Sequence, residues 1–345
     1  MAIPNALDRL SYAFSQKVRT AWFGSHYVLA ARTAPPIEAS IAEREALPSW
    51  RHIGRDLDAL FQRDWANIEA GYYQAPHDMW PNPAGVVRQS LRFFRDLGAV
   101  NRRKRERAAQ EVFAPPHRGR YPRYYLQNFH YQSEGYLSPE SAQLYDYQVE
   151  VLFNGGADAM RRQLLVPMRD FFARKPVRAA RLLDVACGTG RFLTFVKDNH
   201  PRLSVSGVDL SGPYLAQAKR HLRHWSRVGL AAGNAEALPF EDGTFDLATC
   251  IYLFHELPRT VRRRVAQELS RVVMSGGLLL MMDSIQRDDH PPYNPLLERF
   301  PLSMHEPYFA DYVGDDLDGM FRDSGFEVVS VERVYFSRMM VLRRH

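Results

Sequence analysis

Two acids and two glycines pose the chemical question. Asp184 ends the apolar run "RLLD", Gly188 and Gly190 follow in "ACGTG", and Asp209 ends a second run, "LSVSGVD", 19 residues after Gly190. Glycines between a strand and a helix let backbone N–H groups approach a ligand at the helix start. An acid at the tip of the next strand accepts hydrogen bonds from ribose hydroxyls. The spacing predicts a site for a ligand that carries adenosine.

Two cofactors meet that description. A dinucleotide calls for G-x-G-x-x-G, whose third glycine eases helix–strand contact. Counted from Gly188 the third position is Leu193, and counted from Ala186 it is Arg191, so the fingerprint fails. Asp184 points the same way, because an acid just before the turn repels a pyrophosphate. It suits a ligand with an ammonium group, such as the methionine end of S-adenosylmethionine.

These residues need elements to hold them. From Arg181 the chain alternates: strand "RLLDVA", helix "GRFLTFVKDNH", strand "LSVSGVDL", helix "GPYLAQAKRHLRHW", strands "VGLAAG" and "TFDLATCIY", helix "RTVRRRVAQELSRVV", strand "GGLLLMMD". That rhythm predicts an open parallel sheet covered by helices on both faces. An irregular insertion over 284–314 follows, then a short helix in "DDLDGMFRDSG". "FEVVSVERVY" and "SRMMVLRR" are expected as a final antiparallel pair. Residues 1–115 show helical spacing, for example at Leu57, Leu60, Phe61 and Trp65. A helix beginning near Pro83 is expected to end near Gly98. Residues 116–175 form a tyrosine-rich linker and helical cap, with a helix capped at Ser138 and a break at Pro167.

Several of these stretches resemble a known family. "LDVACGTGRFL" resembles the first motif of class I S-adenosylmethionine-dependent methyltransferases, with Ala186 in place of the first glycine. The resemblance implies that Asp184, Ala186, Cys187, Gly188, Thr189 and Gly190 surround the cofactor. "VSGVDLS" resembles the second motif, which puts Asp209 at the ribose with Leu210 and Ser211 beside it. "GNAEALPFEDGTFDLATC" resembles the third and fourth motifs and implies Asn234 and Ala235 at the adenine, with Asn234 where many members carry Asp. Tyr252, just past the fourth strand, completes the implied cofactor set. The nearest subgroup is the ubiquinone/menaquinone C-methyltransferase-like branch (methyltransferase type 11). The resemblance covers residues 176–345 and implies a Rossmann-like seven-stranded doubly wound α/β sheet, here with an N-terminal helical extension.

Methyl transfer needs alignment and exclusion of water, and a base only where the acceptor keeps its proton. His255, in "IYLFHELP", stands at the end of the fourth strand. It is the first candidate for a base or an acceptor-orienting group, against a purely structural histidine. Tyr136 is the best placed tyrosine of the cap to cover a sulfonium, against ordinary packing. His305, beside Glu306 in the insertion, is the third candidate, against a surface loop. Neither that pair nor the cysteines make a metal-ligand set.

The rest of the chain bounds the partners. Its 345 residues, 46% hydrophobic and 24% charged, describe an ordinary globular protein. Cys187 and Cys250 are isolated thiols, which points to a reducing compartment, the cytoplasm. The first residues lack the pattern of a secretory signal. They read as an amphipathic helix with Leu7, Leu10, Phe14, Val18 and Trp22 near one face. Packing against its own domain is the simpler expectation for that face; docking on a membrane surface is the alternative. Net charge is +6, and "NRRKRER", Asn101–Arg107, is expected as a solvated helix face or a phosphate contact.

The leading reading is transfer of a methyl group from S-adenosylmethionine to a small aromatic or lipophilic acceptor. An RNA or protein methyltransferase is an alternative; "IYLFHEL" in place of (D/N)PP(Y/F) argues against nucleic acid. A non-catalytic cofactor-binding scaffold is a third reading.

Overall fold

The computed structural model describes residues 4–36, 40 and 45–345. Residues 42–44, at the start of one predicted helical stretch, and the first three residues of the N-terminal helix lie outside that set. The chain forms two compact units. One runs up to Val166 and takes in Leu302–His305; the other comprises Pro167–Pro301 and Glu306–His345.

The first unit is helical: α1 (Ala6–Thr33), α2 (Trp50–Glu69), α3 (Pro83–Glu106), α4 (Pro139–Leu152) and α5 (Ala157–Arg162). Phe23, Phe93, Leu144, Tyr147 and Val151 make one apolar cluster. Beside it lies a charged core. Arg162 grips the fully buried Asp64 with two bonds, Nε–Oδ1 at 3.1 Å and Nη2–Oδ2 at 2.5 Å. The hydroxyls of Tyr12 and Tyr73 also donate to that carboxylate. Two buried ions are tolerated because every lone pair near them is used.

Three expectations for the helical part of the chain need correction. The buried face of α1 carries Tyr12, Ser15, Gln16, Phe23 and His26, not the predicted stripe. Leu7, Leu10, Phe14 and Val18 are exposed, and of the stripe Trp22 turns inward, its Nε1 donating to the Tyr147 hydroxyl at 2.8 Å. The inward face of α1 mixes aromatic and polar groups instead: Tyr12 donates to Asp64, His26 bonds Ser90, and Phe23 joins the apolar cluster. Helix α3 runs through Gly98 to Glu106, because Val100, Asn101 and Arg103 are buried beyond it and repay the glycine. The basic run is therefore only partly solvated: Arg103 binds Glu111 at 2.6 Å and Ser133 Oγ at 3.0 Å. The third concerns Pro167: the helix does break, but four residues earlier, at the carbonyl with which a proline at 167 can make no bond. The break falls at residues 163–164, and Pro167 sits in the first turn of α6 (Leu165–Phe172), where no backbone N–H is required.

The second unit is built on one seven-stranded sheet: β1 (Arg181–Val185), β2 (Ser204–Asp209), β3 (Val228–Ala232), β4 (Phe245–Ile251), β5 (Val273–Ser284), β6 (Phe326–Val334) and β7 (Ser337–Arg344). The order is β3-β2-β1-β4-β5-β7-β6. Strands β1 to β5 are mutually parallel, and β7 runs antiparallel to β5 and β6. Central strands buried on both faces read as unbroken apolar runs, as β5 does over 278–282. Helices α7 (Arg191–Asn199), α8 (Gly212–His221) and α9 (Arg259–Val272) are the crossovers. The predicted irregular insertion is mostly helical, with α10 (Asn294–Ser303) and α11 (Phe309–Tyr312), and α12 (Leu317–Asp323) follows it. Reversal of strand order between β1 and β4 opens a crevice at their carboxyl ends, where ligands of such sheets bind.

Candidate active site

The turn after β1 is shaped by left-handed backbone. Ala186, Gly188 and Gly190 have φ of 56°, 52° and 71°. Alanine at the first position accepts a strain of about 1–2 kcal/mol that glycine would avoid. Gly190 is needed twice over. Besides its φ, a Cβ there would lie 3.0 Å from Leu222 Cδ1 and 3.1 Å from Ala218 Cβ, so its absence lets α7 start against α8.

Asp209, at the tip of β2, braces that turn. Its Oδ2 accepts the Gly188 N–H and its Oδ1 the Ser211 N–H, both at 2.8 Å. Burial pushes its carboxyl up, and these backbone donors pull it partly back. Ser211 also caps α8 through Tyr214 N at 3.2 Å. Leu210, between them, is half-buried. The carbonyl of Thr189 accepts from His221 Nδ1 at 2.9 Å.

Asp184 is buried within the sheet, paired in register with Thr249, whose Oγ1 donates to Asp184 Oδ1 at 2.6 Å. Its carboxylate is thus engaged below the turn. Cys187 contributes backbone rather than thiol: its N–H donates to Val208 O at 3.0 Å, and its Sγ packs where a Gly207 side chain would otherwise sit. Burial keeps that thiol protonated, first by desolvation and then by Asp209. Asn234, past β3, caps its own loop by accepting the Glu236 N–H at 3.0 Å, with Ala235 half-buried inside that turn. Tyr252 follows β4 with φ of 57°, and its hydroxyl meets Ser337 Oγ at 2.8 Å.

One residue escaped the sequence reading. Asp283 lies near the end of β5, fully buried, and its Oδ1 is 2.6 Å from His255 Nδ1. Asp283 Oδ2 accepts the Phe254 N–H and Oδ1 the Ser284 N–H, both at 2.7 Å. Phe309 and Tyr312 flank the imidazole edge-on. Burial alone would lower the histidine's affinity for a proton. Asp283 outweighs it, helped by Glu306 and Glu256, and pushes the imidazole up to about 10. The signal was present: an acid ends the apolar run "LLLMMD", as Asp184 and Asp209 end or nearly end theirs.

The parallel sheet brings Asp184, Asp209, Tyr252, His255 and Asp283 to one edge, with the loop of Asn234 following the neighbouring strand. The other two catalytic candidates belong to the helical unit. Tyr136 is buried, stacked on Phe129 and set edge-on to Tyr145. His305 Nε2 is 3.0 Å from Gln127 Oε1, and its ring lies against Tyr131.

Comparison with known proteins supplies the class. A methyltransferase-domain family model matches residues 182–277. The chain is 31% identical over 180 residues to the demethylmenaquinone methyltransferase of Lactiplantibacillus plantarum, across 46% of this chain and 74% of that protein. It is 32% identical over 145 residues to the ubiquinone/menaquinone biosynthesis C-methyltransferase of Methylobacterium nodulans, across 41% of this chain and 55% of that one. A solved S-adenosylmethionine-dependent methyltransferase from Aquifex aeolicus is similar with a TM-score of 0.42 and 20% identity, over 60% of this chain and 98% of the other. The chain belongs to the class I S-adenosylmethionine-dependent methyltransferases, in their ubiquinone/menaquinone C-methyltransferase-like branch. It is an enzyme, and S-adenosylmethionine is its cofactor.

Proposed function

We propose that the enzyme methylates a small lipophilic ring bearing a phenolic oxygen, such as a quinol. S-adenosylmethionine, when bound, supplies an electrophilic methyl group. The residues at the sheet edge fit it: the left-handed turn exposes backbone at Gly188, Asp209 offers a carboxylate for the ribose, and the loop of Asn234 and Ala235 would border the adenine. Asp184 would act from beneath the turn on the ammonium end.

The observation that carries the acceptor reading is the His255–Asp283 pair. Held as imidazolium by Asp283, His255 would take the second of its two expected roles, orienting the acceptor rather than accepting its proton. It donates a hydrogen bond and stabilises negative charge. Beside a phenolic oxygen it favours the phenolate, which makes the ring the stronger nucleophile toward a methyl group. The phenolic proton leaves to solvent without a base from the chain, because the cation lowers the acceptor's own pKa, and the ring proton displaced by the new C–CH3 bond leaves to solvent as aromaticity returns. The names of the relatives, demethylmenaquinone and ubiquinone/menaquinone methyltransferases, agree with such an acceptor.

Incubation of the purified enzyme with labelled S-adenosylmethionine and short-chain demethylated quinols tests this reading. Labelled ring product is expected. Cofactor binding without label in any quinol or phenol, together with label in RNA or protein, would replace the acceptor class.

A further inference from the structure

Helices α1 and α3 lie side by side and run in the same direction. Trp80, just before α3, touches the ring of Phe14; Ser90 hydrogen-bonds to His26 at 2.7 Å; Asn101 donates to the Thr33 carbonyl at 3.0 Å. Both turn an apolar stripe to solvent. On α1 it comprises Leu7, Leu10, Phe14 and Val18, exposed by 76, 66, 62 and 46%. These positions recur every three or four residues, so they share one face. On α3 it comprises Val87, Leu91 and Phe94, with Leu91 66% exposed. Trp80, itself half exposed, bridges the two helices beside Phe14.

The α3 stripe has a charged border. Arg88, Arg92 and Arg95 each follow an apolar member by one position, which sets three exposed guanidinium groups along one flank. Among the described residues none of the three pairs with a carboxylate. The acids of these helices are engaged or remote: Asp8 closes the α1 capping box, Asp96 accepts from Ser133, and Glu106 ends α3. A solvent face that is apolar, aromatic at one end and bordered by one sign of charge has the chemistry of a bilayer interface. A second copy fits worse. Whichever way a two-fold contact is set, this face offers the arginine row no unengaged carboxylate of α1 or α3 short of Glu106 at the end of α3, among the described residues.

We infer that α1 and α3 form a docking face for an anionic lipid bilayer, with the stripes seated at the acyl boundary and the arginines at headgroup phosphates. This inference is independent of the acceptor reading above.

Vesicle flotation of the full chain tests it, using phosphatidylcholine alone and phosphatidylcholine with roughly 30% phosphatidylglycerol. Binding is expected only to the anionic vesicles, and at least tenfold weaker at about 0.5 M salt, where surface charges are screened. Leu10→Glu with Phe14→Glu should abolish it. Arg88→Glu with Arg92→Glu should weaken it by about tenfold or more, as each arginine near the surface contributes appreciably. Unchanged far-ultraviolet circular dichroism and an unchanged urea-unfolding midpoint in all variants show that the helical unit still folds. The inference is overturned if the parent ignores anionic vesicles, or if folded variants bind them as the parent does. It is equally overturned if light scattering shows a dimer that the α1 variant dissociates while vesicles stay unbound, which would assign the face to a second copy.

Discussion

The imidazole Nδ1 of His255 and the carboxylate Oδ1 of Asp283 stand 2.6 Å apart at the carboxyl edge of the sheet, 28 residues apart in the chain. Two backbone N–H groups, from Phe254 and Ser284, hold the carboxylate in place. The pair joins the end of β4 to β5; it orients the histidine, and the carboxylate favours the protonated ring.

The charge state has a pH signature. Because the folded value, about 10, lies above the ordinary 6.5, the pair's contribution to stability is fully present below about 6.5 and is lost as pH rises through 10. Turnover that depends on the imidazolium should fall on that same alkaline limb, with no loss near 6.5 from this residue. Asp283→Asn should bring the imidazole back toward 6.5. A proton-NMR titration of His255 reads both, and a parent midpoint near 6.5 would refute the assignment.

Removing the ring tests its role. His255→Ala is expected to lower kcat by about 10²–10³, the usual loss of one donor to a developing oxyanion, while cofactor affinity stays within a few-fold. Equal loss of kcat and cofactor affinity would make His255 a structural residue.

Asp209→Ala should weaken S-adenosylmethionine binding by about ten- to a hundredfold, the worth of charged hydrogen bonds to two hydroxyls. Calorimetry measures it. Asp209→Asn should lose less, since its amide oxygen still accepts one backbone N–H of the turn. Near-parent affinity in the alanine variant would show that the ribose lies elsewhere.

Gly190→Ala combines left-handed strain with the contacts to Leu222 and Ala218. Urea unfolding should show a loss of about 2–4 kcal/mol. An unchanged midpoint would mean that α7 and α8 can shift apart at no cost.

In the helical unit, Asp64→Asn leaves Arg162 buried without its counter-charge, and a loss of about 3–5 kcal/mol is expected. Tyr12→Phe, which removes one donor and no charge, should cost about 1 kcal/mol. The ratio of the two losses, read by thermal or urea unfolding, separates ion pairing from hydrogen bonding.

What the sequence revealed was what is local or periodic. The turn from Asp184 to Gly190 and the strand runs are read from neighbouring residues, and the antiparallel end from the tight spacing of its two strands. Pairings across the sheet were hidden. Asp283 meets His255, and Thr249 meets Asp184, only because β4 lies beside β5 and β1, and no spacing rule encodes that. The face of α1 was misassigned for a related reason. The apolar stripe suggests an inward face, whereas this helix packs through Phe23 and through hydrogen-bonded side chains such as Tyr12 and His26. Gly98 looked like a stop because a glycine is unfavourable mid-helix, and the burial of Arg103 that outweighs it depends on Glu111 and Ser133, which follow the helix.

Strand β7 carries a consequence for biosynthesis. It fills the place between β5 and β6, yet it is made after both. Strands β1 to β5 can associate while translation continues, but β6 has no neighbour in the sheet until Arg344 leaves the ribosome. Until then β5 presents a bare, apolar edge open to other nascent chains.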